Sequence, residues 1–288
     1  MQGPLFLMAA LMLFGLVDAN SKGLAQQFSA AQALLIRHVA LLLLLAAARA
    51  LWHGAGGTLY SRHPWLHAAR AFSMLGSGMC FFVAFRHLPL ADGYLVYFTA
   101  PFLTLLLARL FLREEVPARA WLWVGVGFSG VLAALWPQLG EGEGASLTGF
   151  AAAALGTLFY AITITINRGL RMETGIARLI LWPGVVGILA SAPFAGWHWV
   201  APDALQWLRL IANGVMAGAA AVLMALAFRH APAARLAPFE FIALPWAVTL
   251  DLLLFGRPPE PAVIAGGVVV VLACVMSERA VRRAGGRG

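Results

Sequence analysis

Ala84-Phe85-Arg86-His87-Leu88-Pro89-Leu90-Ala91 returns later in the chain as Ala227-Phe228-Arg229-His230-Ala231-Pro232-Ala233-Ala234. Six of the eight positions are identical, and the offset (84 to 227) is 143 residues, close to half of the 288-residue chain. Alanine and leucine coincide by chance between any two apolar stretches. Arginine, histidine and proline at one common spacing are harder to obtain that way. The octapeptide reads as the same turn in two copies of one unit. Nearby landmarks follow within three residues of that spacing: Pro101 answers to Pro245, and Lys22-Gly23-Leu24 to Arg168-Gly169-Leu170.

The sequence around each turn is strongly apolar. Hydrophobic residues make up 61% of the chain and charged residues 11%, against roughly 45–50% and 25% in soluble domains. A water-soluble fold of this length could not hide so much apolar side chain. About 20 apolar residues cross about 30 Å of hydrocarbon, and such windows fall at 3–22, 30–51, 67–86, 91–111, 118–137, 147–167, 176–196, 207–228, 233–254 and 262–278. The repeated turn joins the third and fourth spans of each half. Spans three and four, and eight and nine, therefore form tight helical hairpins.

Placing the N-terminus inside puts fifteen of the 20 lysines and arginines on inner turns. Lys22, Arg86, Arg209 and Arg257 fall outside, and Arg37 lies within a span. This bias sets both termini in the cytoplasm, as an even number of spans requires. The net charge of +8 is thus topological, and no nucleic-acid partner is expected. The first span lacks a basic n-region and a small-x-small cleavage site, so it is expected to be retained. Five spans per half is an odd number, so the copies must be inverted. The expected fold is an all-α integral membrane protein of ten transmembrane helices, as two inverted five-helix repeats over 3–137 and 147–279. Inverted repeats characterise secondary transporters.

Charged side chains inside a span are costly and point to function. Asp18, Arg37 and Glu240 are the three expected there. Asp18 and Arg37 lie at similar depths on spans one and two, which suits an ion pair; its bland reading is a fastener between two helices. Lys22 is expected to snorkel to the interface. Glu240 lies in Pro238-Phe239-Glu240-Phe241-Ile242-Ala243-Leu244-Pro245, where prolines free backbone carbonyls. A carboxylate there could hold a cation or carry a proton, or simply serve packing. The repeat offset pairs Glu240 with Tyr97 across a shared cavity. Tyr160, Thr163 and Asn167, with Gly156, share one helical face of span six. They read as a cavity lining, or as interhelical hydrogen bonding. Tyr94, Tyr97, Phe98, Tyr160, Phe239 and Phe241 favour an amphipathic or aromatic solute.

Other features read as structural. Cys80 and Cys274 stand alone, His63 and His67 flank Pro64, and Gly214 and Gly218 form a small-xxx-small pair. No catalytic residue, metal site or cofactor is expected. The rival class, a membrane-embedded enzyme acting on a lipid or lipid-linked substrate, needs converging nucleophile, base or metal ligands. The spans offer no such set. No GxxxxGK[ST] motif is present to support direct drive by ATP.

The repeated turn, Pro101, the close Leu112-Arg113-Glu114-Glu115-Val116-Pro117 and the glycine-rich fifth span (Gly125, Gly127, Gly130) resemble the EamA-type drug/metabolite transporters. The second half offers Pro245, Gly256-Arg257-Pro258 and Gly266-Gly267. It departs at Arg257, where the resemblance leads one to expect an acidic residue like Glu114 or Glu115. The resemblance spans nearly the whole chain. It implies a secondary transporter in the cell (inner) membrane, moving a small organic metabolite such as an amino acid, amphipathic metabolite or drug-like compound by alternating access. Its expected partners are that solute, membrane lipids and, if coupled, protons. Direction of flux and oligomeric state stay open.

Overall fold

The computed structural model describes residues 2–52, 55–111, 113, 116–140, 144–170, 175–197, 199–230, 239–240 and 242–285. Among them are eleven helices: α1 (Gln2–Ala25), α2 (Ala30–Leu51), α3 (Pro64–His87), α4 (Leu90–Tyr97), α5 (Ala100–Phe111), α6 (Ala118–Gly140), α7 (Gly144–Gly169), α8 (Ile176–Trp197), α9 (Ala204–His230), α10 (Ala243–Phe255) and α11 (Pro261–Gly285). Seven segments are long and apolar enough to cross a bilayer, α4 and α5 counting as one. Shorter apolar helices at Ala118–Ala134, Ala243–Phe255 and Pro261–Ser277 fill the remaining expected positions. The outward side chains are large and apolar, as with Leu43, Leu189 and Leu253, each at least 65% exposed. A surface of that kind is tenable only against lipid. The chain is an integral membrane protein.

Local chemistry sets several helix ends. The Ser29 hydroxyl accepts from the Gln32 backbone N–H at 3.2 Å and starts α2. Asp203 and Gln206 exchange reciprocal bonds of 2.8 Å at the head of α9, an Asp-x-x-Gln capping box. Gly256, at φ 63°, stops α10 in the left-handed conformation that glycine tolerates best.

Span four, expected as one helix, is broken. α4 closes at Phe98–Thr99, where the Thr99 N–H and hydroxyl both donate to Val96 O, at 3.0 and 2.7 Å. α5 then starts, with the Phe102 and Leu103 N–H groups donating to Thr99 O. Pro101 falls in the first turn of α5, where its missing N–H costs nothing. Pro245 sits likewise in the first turn of α10, after a turn in which Ile242 N–H donates to Phe239 O at 3.2 Å. Within the expected ninth span, 233–254, the helix α10 starts at Ala243; Pro238 and the second copy of the octapeptide from Ala231 onward lie outside the described residues. The first copy is the expected tight turn, with Leu88 and Pro89 alone between α3 and α4.

The main interfaces pair α1 with α9, α3 with α7 and α8, α2 with α8 and α9, α5 with α7, α4 with α10, and α6 with α11. The α6–α11 crossing is made close by Gly130 and Gly266. A Cβ on Gly266 would come within 2.8 Å of Gly130 O, and one on Gly130 within 2.7 Å of Val269. The largest buried cluster among the described residues joins α1, α3, α4, α5, α6, α7, α10 and α11 around Phe85, Leu95, Phe98 and Phe102.

Candidate functional site

The break in span four places Tyr97 at the end of α4, beside α7. The Tyr97 and Tyr160 rings lie 4.9 Å apart, tilted by 57°. Glu240 is exposed rather than buried, and shortly precedes the turn at Ile242.

The aromatic row continues. Tyr97 packs against Tyr94 at 5.9 Å and edge-on to Phe81 at 6.0 Å. The Tyr94 hydroxyl donates to Asp18 Oδ2 at 2.7 Å. A line of polar groups, Asp18–Tyr94–Tyr97–Tyr160, therefore runs between α1, α4 and α7. Phenols combine an apolar body with a hydrogen-bonding tip, so such a wall can hold an amphipathic solute.

Arg37 does not pair with Asp18, contrary to the sequence expectation. Its Nε donates to Asn213 Oδ1 at 2.6 Å and its Nη2 to Ser21 Oγ at 3.0 Å. Asn213 Nδ2 in turn donates to Val17 O and Ser21 Oγ, at 3.0 and 3.1 Å. The guanidinium is held by neutral groups of α1 and α9, while Asp18 is held by Tyr94. Asn213 and Ser21 supply a fork that the carboxylate would otherwise fill.

Lys22 does not snorkel. Its Nζ lies 3.0 Å from Asp251 Oδ1 and 4.6 Å from the centre of the Phe255 ring, and both ions are buried. Asp251 Oδ2 accepts the Ala91 N–H at 2.8 Å. One aspartate on α10 thus grips both α1 and the head of α4. Beside it a cavity of ≈ 320 Å³ is lined by Pro89, Asp92, Asp251, Arg257 and Glu260, among others. The same end of the bundle carries Asn20 to Arg209, Gln27 to Gln206 and Gln32 to Val200 hydrogen bonds.

Thr163 does not join this set. It is buried, and its hydroxyl donates to Phe159 O of its own helix at 3.0 Å. Asn167 lies two turns beyond Tyr160 and is partly buried. Asp251 is a charged group inside span nine and so falls under the rule that singled out Asp18, whereas Asn213 is a neutral amide inside span eight and does not. Their roles depend on contacts between distant helices, which no local pattern encodes. No group of His, Cys, Asp and Glu suited to a metal is present among the described residues.

Known proteins agree with this architecture. The S-adenosylmethionine uptake transporter of Rickettsia felis is 23% identical over 220 residues, covering 76% of this chain and 73% of its own. The pseudopaline exporter CntI of Pseudomonas aeruginosa is 27% identical over 203 residues, 70% of each chain. The riboflavin transporter of Vibrio cholerae is 26% identical over 277 residues, 94% of this chain and 91% of its own. A solved crystal structure shares the fold at a TM-score of 0.68 and 17% identity, over 98% of both chains. These relatives are named as small-molecule transporters, not enzymes. The EamA-like transporter family model matches twice, over residues 1–136 and 147–278, and the chain belongs to that family.

Proposed function

We propose that this chain is a secondary transporter of a small organic metabolite, working by alternating access between two inverted five-helix halves, 3–137 and 147–279. We place it in the cell (inner) membrane with both termini cytoplasmic. The arrangement of interfaces supports the inversion. Exchanging each span for its repeat partner turns the α1–α9 contact into the α7–α3 contact, and returns α2–α8, α4–α10 and α6–α11 to themselves.

One observation carries the reading. Polar groups of both halves meet beside the proline-marked start of α5, Asp18, Tyr94 and Tyr97 from one half and Tyr160 from the other, and Glu240 stands just before the corresponding start of α10. Interrupted helices in corresponding halves are where secondary transporters build their sites. In the conformation described, the face bearing Lys22–Asp251 is tied shut by side chains that cross between halves. Rocking would release those ties and open that face.

Glu240, exposed just before α10, is the proposed coupling carboxylate, with Asp18 as its counterpart on α1. The protein in liposomes should move solute without converting it. Glu240→Gln should lower the rate and flatten its response to an imposed proton gradient. Solute that is chemically altered would return the enzyme reading. An unchanged rate and pH response in Glu240→Gln would remove the coupling role.

A further inference from the structure

Between Asp18 and Asp92 the chain has no acidic residue, while Arg49, Arg62, His63, His67 and Arg70 gather at the end of the bundle where α2 stops and α3 and α8 start. The loop joining α2 to α3 is fastened there. Ala177 N–H donates to Gly56 O at 3.0 Å, and Arg49 Nη1 donates to Ala55 O and Gly57 O at 2.9 and 2.8 Å. Arg70, six residues into α3, is 3% exposed, and its partners are neutral. Nη2 donates to Leu179 O of α8 at 3.3 Å, Nη1 lies 3.4 Å from Met74 Sδ, and Nε has no partner. The indole of Trp182, three residues along α8 from Leu179 and stacked on His67 at 6.0 Å, also keeps an unsatisfied N–H. A thioether is a weak acceptor, and a buried guanidinium without a counter-charge is costly. Met74 is 38% exposed and its side chain is flexible, so it can swing aside and leave the guanidinium facing lipid.

We propose that the α3–α8 crevice beside Arg70 binds the phosphodiester of an anionic phospholipid, which takes the place of the Met74 thioether. Phosphate oxygens are charged acceptors that meet the guanidinium fork bidentately, as Leu179 O and Met74 Sδ cannot. The surroundings match that occupant. α3 and α8 both begin at this end, so the positive ends of their macrodipoles face the headgroup layer. Trp52, Tyr60 and Trp65 of the adjoining loop and helix start are 67%, 75% and 86% exposed, and such rings settle at headgroup level. Basic pockets between spans on the cytoplasmic side suit anionic headgroups, and the proposed orientation puts this end in the cytoplasm. α3 and α8 come from different halves, so the lipid would bridge them. The site is separate from the line Asp18–Tyr94–Tyr97–Tyr160 and does not depend on which solute is moved.

The test uses the purified full-length protein in detergent, with thermal stabilisation and lipid retention in native mass spectrometry both read. The probes are phosphatidylglycerol, phosphatidylcholine with the same acyl chains, whose choline neutralises its phosphate, and inorganic phosphate. Phosphatidylglycerol should bind at least about tenfold tighter than phosphatidylcholine, the factor expected for one charge-assisted hydrogen bond. That preference should persist in 1 M salt, where the Debye length is about 3 Å and attraction to a merely basic surface is lost. Arg70→Gln should abolish it, while Arg62→Gln, at an exposed position, should keep it. Met74→Ala uncovers the guanidinium and should raise phosphatidylglycerol affinity; it decides the matter if Arg70→Gln does not fold. Equal binding of the two lipids, a preference lost in salt, equal losses in the two arginine variants, or unchanged affinity in Met74→Ala would each overturn the site. Inorganic phosphate stabilising the protein as well as phosphatidylglycerol does would assign the crevice to a small free anion and overturn the lipid.

Discussion

Removing one ion of the Lys22–Asp251 pair should destabilise the protein far more than removing both. The two charges are 3.0 Å apart, with side chains 8% and 3% exposed. Breaking a buried pair strands a charge and costs about 3–5 kcal/mol. Asp251→Ala also strips the Ala91 N–H of its acceptor, worth a further ~1–3 kcal/mol. Part of this is returned because Lys22 keeps the Phe255 ring at 4.6 Å, a cation–π contact worth about 1–2 kcal/mol. Lys22→Met leaves Asp251 with the Ala91 bond alone and should cost about 3 kcal/mol. The double variant Lys22→Met/Asp251→Leu carries no stranded charge and should recover most of that loss. The assay is a double-mutant cycle on unfolding free energies in detergent, with SDS as denaturant. Single variants each costing under about 1 kcal/mol, with no coupling, would match an exposed bridge and refute the argument.

Tyr94→Phe keeps the ring against Phe85, 6.3 Å away, and removes only the bond to Asp18. Solute affinity should fall about tenfold with little change in unfolding temperature, checked by binding and melting curves. Gly214→Ala would bring a Cβ within 2.7 Å of Arg37 O, a backbone atom that cannot rotate away. It should cost about 1–3 kcal/mol and disturb the Arg37–Asn213 bond. Gly218→Ala meets only the mobile end of Leu41 at 2.7 Å and should cost clearly less in the same unfolding assay. Thr163→Val replaces a hydroxyl already spent on Phe159 O, so transport rates should stay near wild type.

The architecture was legible because lipid imposes a one-dimensional code. Window length gives spans, and the octapeptide at 84–91 and 227–234 gives the duplication that the two family matches repeat. The breaks were half legible: Pro101 and Pro245 marked where they fall, but a hydropathy window reads smoothly through Phe98 and Thr99. The Tyr97–Tyr160 contact joins two residues that the reading of cavity-facing aromatics had already singled out. Side-chain partnerships could not. Asp18 and Arg37 have matching depths, and depth was the only coordinate available. Which of them bonds to Tyr94, and which to Asn213, depends on rotation of α1 against α4 and α9. Lys22 shows the same limit: near a span end, a snorkelling lysine and a buried one have identical sequence contexts until Asp251 of the other half is placed.

The Lys22–Asp251 tie also has an electrical consequence. A membrane potential acts on net charge, at about 2.3 kcal/mol per elementary charge per 100 mV. One positive and one negative side chain at nearly the same depth sum to zero. If they part sideways as the face opens, neither travels far along the field. The two-way grip of Asp251 on α1 and on the head of α4 would then be strong against thermal opening and almost indifferent to voltage. The release of that face would answer to the solute and to water, and the cell's potential would act on the cycle elsewhere, through whatever charge Glu240 gains or gives up.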